Sequence, residues 1–193
     1  EKLISAGLRY DITIIPSSCI GEELIKTHGH YHPEAEQGLS FIELYEVLEG
    51  EAIFLLQLPG EHSYARIIDA FFVKAKQGDK LLVPPNYGHV TINAGSTSLK
   101  LANLVARSFS SIYEPYKKLR GACYYLTKRG WVKNQNYEVV PELREVKAVE
   151  IPGLGIRKNL SLLELAKSPE KLEFLLKPSL CLEHVRVAYG ARV

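Results

Sequence analysis

The 193-residue sequence contains no methionine, one tryptophan and three cysteines. Cys19, Cys123 and Cys181 are odd in number, far apart and in no CxxC arrangement, so neither a disulfide framework nor a zinc knuckle is suggested and a reducing compartment is the simplest setting. Any apolar run near the length needed to span a bilayer is also missing, and no charged start followed by an apolar block reads as a secretory leader. Basic runs interleaved with aromatics are absent as well. The 24 Lys and Arg against 22 Asp and Glu leave a net charge of +2, which gives no reason to invoke nucleic acid or an anionic membrane surface. The expectation is a cytoplasmic protein. The chain starts at Glu1 rather than at a methionine, which reads as a processed or trimmed product.

What is present is an ordinary globular composition, 46% hydrophobic, in a chain long enough for one sizeable core and too short for two comfortable ones. Apolar or alternating runs at 10–15, 43–48, 52–58, 64–73, 80–83 and 99–106 are broken at Pro16, Gly50, Pro59-Gly60, Gly78-Asp79 and residues 93–96. That spacing is the pattern of an antiparallel all-β sandwich or barrel. Residues 33–40 carry loop chemistry, residues 108–118 read as a short helix or irregular cover, and 123–126 with 131–133 read as a hairpin across 127–130. After Pro141 the character changes. Ser161 with Glu164 forms a capping box ahead of Leu162, Leu163 and Leu165. Ser168-Pro169 reads as an N-cap followed by a first-turn proline, with Leu172, Leu175 and Leu176 on one face until Pro178. The expected organisation is a barrel domain over 1–148 and a C-terminal extension over 149–193 whose short helices pack on it.

Three of the six histidines fall within Thr27-His28-Gly29-His30-Tyr31-His32. In extended chain His30 and His32 share a face and Tyr31 points the other way. In Glu43-Leu44-Tyr45-Glu46-Val47 the same alternation puts Glu43, Tyr45 and Val47 on one face and Glu46 on the other, so only one glutamate can serve a common site. His89 follows a turn at 84–88 and opens a β-branched strand. A lone histidine on an apolar strand is usually packing, but two at i, i+2 with a spaced glutamate and a distant His-x-x-x-Asn reverse that expectation. Three imidazoles and a carboxylate suit Fe(II), Mn, Ni, Co or Zn better than Ca or Mg. His28, His62 and His184 lack such support and read as structural or surface residues.

His30-x-His32, Glu43 separated by six residues from Gly50, Gly78 with Pro84 six positions on, and His89 with Asn93 at plus four resemble the two cupin motifs. Asn86 stands where the pattern usually has glycine. A closer resemblance, over roughly residues 7–146, is to the cupin-type phosphoglucose isomerases found mainly in archaea. Residues 9–13, 26–33, 43–50, 55–57, 89–93 and 134–137 carry it. The resemblance implies an all-β cupin barrel of jelly-roll type and a divalent transition metal, Fe(II) first and Mn, Ni, Co or Zn as alternatives, held by His30, His32, Glu43 and His89. It implies interconversion of glucose 6-phosphate and fructose 6-phosphate, a step of glycolysis and gluconeogenesis. The phosphate would be bound by Thr13, Thr27 and Gly29, Tyr45 would line the sugar and Tyr113 would close the site. Catalysis falls to Glu43 and Tyr45, by proton transfer through a cis-enediol or by a hydride shift. Cupins commonly pair through edge strands, so a homodimer is expected. Ser111 stands where some members have a histidine. Two other classes share the ligand pattern: a different metal-dependent cupin enzyme such as an Fe(II) dioxygenase, and a cupin that binds a sugar phosphate without turnover.

Overall fold

The computed structural model describes residues 2–193. After a helical turn, α1 (Lys2–Ser5), the chain forms β1 (Leu8–Ile15), β2 (Cys19–Ile20), β3 (Glu23–Leu24), β4 (Glu34–Glu36), β5 (Leu39–Ser40), β6 (Glu43–Glu49) and β7 (Glu51–Gly60). There follow β8 (Ser63–Lys76), β9 (Lys80–Val83), β10 (Gly88–Asn93), β11 (Leu99–Ala106), α2 (Glu114–Lys118), β12 (Tyr124–Thr127), β13 (Gly130–Lys133) and β14 (Arg144–Lys147). Short 3-10 turns and two α-helices, α3 (Leu162–Leu165) and α4 (Leu182–Tyr189), complete it.

Of three four-stranded sheets, two form the body of the fold, in the orders β1-β11-β6-β9 and β10-β7-β8-β14, and the third, β13-β12-β3-β2, is smaller. Between β6 and β11 the chain repeatedly crosses from one sheet to the other, which is a jelly-roll connection. The expected all-β jelly roll is therefore the observed fold, built as two facing sheets. Among the described residues no ladder joins these two sheets into a closed barrel.

The register fixes which side chains face the interior. Row by row across the first sheet, Glu43 pairs with Val105 and Val105 with Arg9, while Tyr45 pairs with Asn103 and Asn103 with Asp11. Strand β7 is buried on both sides: Phe54 and Leu56 join the main core, and Ile53 and Leu55 join a second cluster with Tyr31, Tyr116 and Tyr124. This explains its continuous apolar run in place of alternation. The expected hairpin forms as β12 and β13, with Thr127 and Gly130 paired inside the stretch expected to turn, and it contributes to that second cluster.

The other outer face, that of the first sheet, is covered by the C-terminal segment. Leu162, Leu165, Leu172, Phe174, Leu175, Val185 and Tyr189 share one hydrophobic cluster with Leu44, Leu82, Ala102 and Leu104. Hydrogen bonds fasten it as well, among them Leu162 N–H to Glu46 Oε2 at 2.7 Å and Leu82 N–H to the Tyr189 hydroxyl at 3.1 Å.

Several local expectations change. Residues 33–40 form the β4–β5 hairpin, because Gln37 and Gly38 both take positive φ (48° and 78°) and close a tight turn. The capping box at Ser161 and Glu164 is present on both sides. Ser168, by contrast, makes no side-chain cap, and Pro169–Leu175 is a 3-10 segment interrupted at Leu172 (φ −107°, ψ 15°) rather than an α-helix. Leu172, Phe174 and Leu175 are all buried there, so packing overrides the regular spiral. Helix α4 and the parallel pairing of β14 with β8 lie beyond what the pattern announced. No helix among the described residues is long and apolar enough to cross a membrane.

Candidate metal centre

The His-rich segment is extended but is held by bridges rather than by a full ladder. On one side Thr27 N–H donates to Thr91 O (2.8 Å), His30 N–H to His89 O (3.3 Å) and His89 N–H to His30 O (3.0 Å). On the other, Tyr31 and Ile112 exchange both backbone bonds at 3.1 and 2.8 Å. Cross-strand pairing of His30 with His89 thus brings together candidate ligands 59 positions apart. Tyr31, between the two motif histidines, points away as alternation requires, and its hydroxyl accepts from Gln57 Nε2 at 2.7 Å in the second cluster. Gly29 has a packing reason of its own: a Cβ there would lie 2.2 Å from the Tyr116 ring.

One ligand atom from each of His30, His32, Glu43 and His89 lies within 4.8 Å of all the others. His30 Nδ1 sits 3.2 Å from His28 O and His32 Nδ1 sits 3.0 Å from Phe41 O. Carbonyls only accept, so Nδ1 is the donor in both rings, an orientation that turns Nε2 toward the shared centre where its lone pair could serve a ligand. His32 Nε2 and His89 Nε2 approach Glu43 Oε2 at 3.4 and 3.3 Å. Burial, and then the neighbouring charges of His89 and His32, lower the His30 pKa from 6.5 to about 3, and burial likewise lowers that of His89. Burial pushes the Glu43 carboxyl up, but hydrogen bonds and charge from the His32 and His89 rings, in the state where Nε2 carries a proton, outweigh it and leave it well below the usual range. A transition metal takes these nitrogens once they have given up their Nε2 protons, beside a carboxylate that is already ionised. The residues therefore fit such an ion. The His89 Nδ1 atom is buried with no hydrogen-bond partner among the described residues.

Tyr45, from the same face of β6 as Glu43, places its hydroxyl 3.3 Å from His89 Nε2. Burial, then the Glu43 charge, raises its pKa well above 10, so it stays a hydrogen-bond donor. Tyr113 lies at the rim, 39% exposed, with ring centroids 5.0 Å from His28 and 5.3 Å from His30. His28, read from sequence as structural or surface, is exposed and lies against that ring. Thr13 faces the same side of β1 as Asp11. Thr27 is already engaged, its Oγ1 accepting from Thr91 N–H at 2.9 Å. Asn93 links their neighbourhoods by donating its side chain to Ile15 O (2.9 Å) and its backbone N–H to Ile25 O (2.9 Å). Sequence reasoning missed Phe109, which packs on His32 and stacks on Phe41 with centroids at 4.7 and 4.8 Å. Nothing local in a polar stretch separates it from a surface phenylalanine.

A jelly roll with His-x-His, a glutamate and a distant histidine converging between its sheets is a cupin. The family model described as glucose-6-phosphate isomerase (GPI) matches residues 1–142, and the chain belongs to that family. It is 34% identical over 89 residues to the glucose-6-phosphate isomerase of Thermococcus litoralis, covering 46% of this chain and 40% of that protein. To the glucose-6-phosphate isomerase of Pyrococcus furiosus it is 30% identical over 88 residues, covering 46% and 41%. The matched segment thus spans about two fifths of these curated relatives. Among solved structures, oxalate oxidase with the substrate analogue glycolate aligns at a TM-score of 0.43 and 14% identity, covering 58% of this chain and 49% of that one.

Proposed function

We infer that the protein is a metal-dependent aldose–ketose isomerase that interconverts glucose 6-phosphate and fructose 6-phosphate. The observation that carries this reading is the convergence of His30, His32, Glu43 and His89 in a chain of the glucose-6-phosphate isomerase family. Those four side chains would hold a divalent transition metal, with Fe(II) the first candidate and Mn, Ni, Co or Zn the others. When bound, the ion supplies Lewis-acid stabilisation of negative charge developing on the C1 and C2 oxygens.

The chain's own residues supply the rest. Glu43, ionised, is the carboxylate placed to move a proton between C1 and C2 through a cis-enediol, and the Tyr45 hydroxyl, held protonated, donates to an oxygen that gains charge. Thr13, Thr27 and the Gly29 amide would take the phosphate, a dianion that accepts several hydrogen bonds at once. Tyr113 would close the rim. Residues 149–193 would act as an extension that buttresses the sheet bearing Glu43. A homodimer through β1 is part of the reading, because that edge strand exposes Ile12 and Ile14 at 52% and 61%.

The test is a coupled assay of fructose 6-phosphate conversion before and after chelation, then with each metal restored. Activity is expected to vanish and return, and Glu43→Gln is expected to lower turnover by a factor of about 100 or more. Failure of every metal to give turnover would sink the isomerase reading. Retention of substrate-derived hydrogen in deuterium oxide would replace proton transfer with a hydride shift.

A further inference from the structure

Strand β11 presents to the interior an apolar column, Leu101 and Val105, broken once by Asn103. That asparagine is 4% exposed, and its amide makes a single, long hydrogen bond among the described residues, Nδ2 to Asp11 Oδ2 at 3.4 Å. Asp11 is in turn held by Arg9 Nε at 2.9 Å. An amide offers two donors and two acceptor positions, and those of Asn103 that Asp11 leaves free are not among the sealed unpartnered atoms, so they open onto accessible space where a ligand can reach them. The sheet does not require a polar group there, since its neighbours above and below in the column are a leucine and a valine.

Position says what the pair faces. Asn103 is directly opposite Tyr45 and Asp11 is directly opposite Asn103, so all three lie in one row on the face that carries Glu43. Adjacent strands are about 4.8 Å apart, which puts Asn103 one strand and Asp11 about 10 Å from Tyr45. Thr13 lies two residues further along β1 on the same face, about 6.8 Å from Asp11. An acyclic hexose phosphate with its C1–C2 end at Glu43 and Tyr45 and its phosphate toward Thr13 would lay its middle carbons across Asn103 and Asp11. We propose that Asn103 and Asp11, with Arg9 steadying the carboxylate, form the subsite that recognises the C3 to C5 hydroxyls of a polyhydroxylated sugar phosphate. An amide that both donates and accepts, beside an accepting carboxylate, matches adjacent hydroxyls of defined configuration.

This proposal rests on the isomerase reading, and binding of unreactive probes separates the two. D-Glucitol 6-phosphate and its C4 epimer galactitol 6-phosphate keep the chain and phosphate but have no carbonyl to isomerise. With the metal-loaded protein, calorimetry is expected to give glucitol 6-phosphate at least about a tenfold advantage over the epimer, a floor well below the discrimination that a site built to pair hydroxyls can reach. Asn103→Leu, which continues the apolar column, is expected to cut that ratio to about twofold or less by removing the discriminating partner. Asp11→Asn, at a half-exposed position, is expected to weaken the preference in the same direction even where the leucine disturbs the sheet. An unchanged ratio in both variants, or no preference in a wild-type protein that turns over fructose 6-phosphate, overturns the subsite. Neither turnover nor binding of either probe removes the isomerase reading and the subsite with it.

Discussion

Glu46 sits one position from Tyr45 and faces the other way, and its replacement by glutamine offers a test of how the C-terminal segment is held. Its Oε1 accepts from Lys80 Nζ at 3.2 Å and its Oε2 accepts from Leu162 N–H at 2.7 Å, with the two charged side chains only 8% and 2% exposed. Glutamine has nearly the same shape but one acceptor, so its NH2 must face either the ammonium or the Leu162 N–H. Breaking a buried ion pair by altering one partner costs about 3–5 kcal/mol. Lys80 keeps two carbonyl partners, Gly78 O at 2.9 Å and Lys158 O at 3.2 Å. That argues for the lower end, about 3 kcal/mol. For a chain of this size the melting temperature would fall by about 6–12 °C. The assay is urea and thermal unfolding of wild type, Glu46→Gln, Lys80→Met and the double variant, with an expected coupling of about 2 kcal/mol between the two sites. A coupling below about 0.5 kcal/mol would refute the reasoning, since the pair would then be no more than two independent side chains.

Two further outcomes are expected. His30 has its pKa lowered in the fold from 6.5 to about 3, so between those values the unfolded chain binds more protons. Stability of the metal-free protein is then fully present above about pH 6.5 and is lost as pH falls toward 3, and the depressed Glu43 adds a loss of the same sign below its ordinary range. A urea midpoint that stays level or rises between pH 7 and pH 4 would contradict this. At Asn86, φ is +67°, the side-chain oxygen accepts from Ser40 N–H at 2.9 Å and Nδ2 donates to Gly38 O at 3.1 Å. Asn86→Ala combines left-handed strain of about 1–2 kcal/mol with the loss of both bonds, whereas Asn86→Gly loses only the bonds, so alanine should be the more damaging replacement in chemical denaturation.

Much of the site was legible because it depends on strand alternation, a rule that acts over two residues. Alternation alone separated Glu43 from Glu46 and Tyr31 from its flanking histidines, and the partners that Glu43, Glu46 and Tyr31 meet on their separate faces agree with it. Local chemistry likewise announced the capping box at Ser161 and the hairpin across residues 127–130. It also explains how Asn86 replaces the glycine of the motif, since asparagine tolerates a left-handed backbone and its amide ties down the β4–β5 hairpin. By contrast, the 3-10 path at Leu172, the seat of Phe109 against His32 and the row from Tyr45 through Asn103 to Asp11 each depend on partners from remote parts of the chain. So does the role of Glu46, which acquires Lys80 and Leu162 from 34 and 116 positions away. The sequence by itself determined the run of alternating strands and which of its histidines and glutamates share a face, because short-range periodicity sets the side each side chain takes, and its motifs carried the resemblance to cupins with four candidate ligand residues. Only the tertiary structure decided what those faces meet, because sheet register and packing bring together residues whose spacing along the chain carries no period at all.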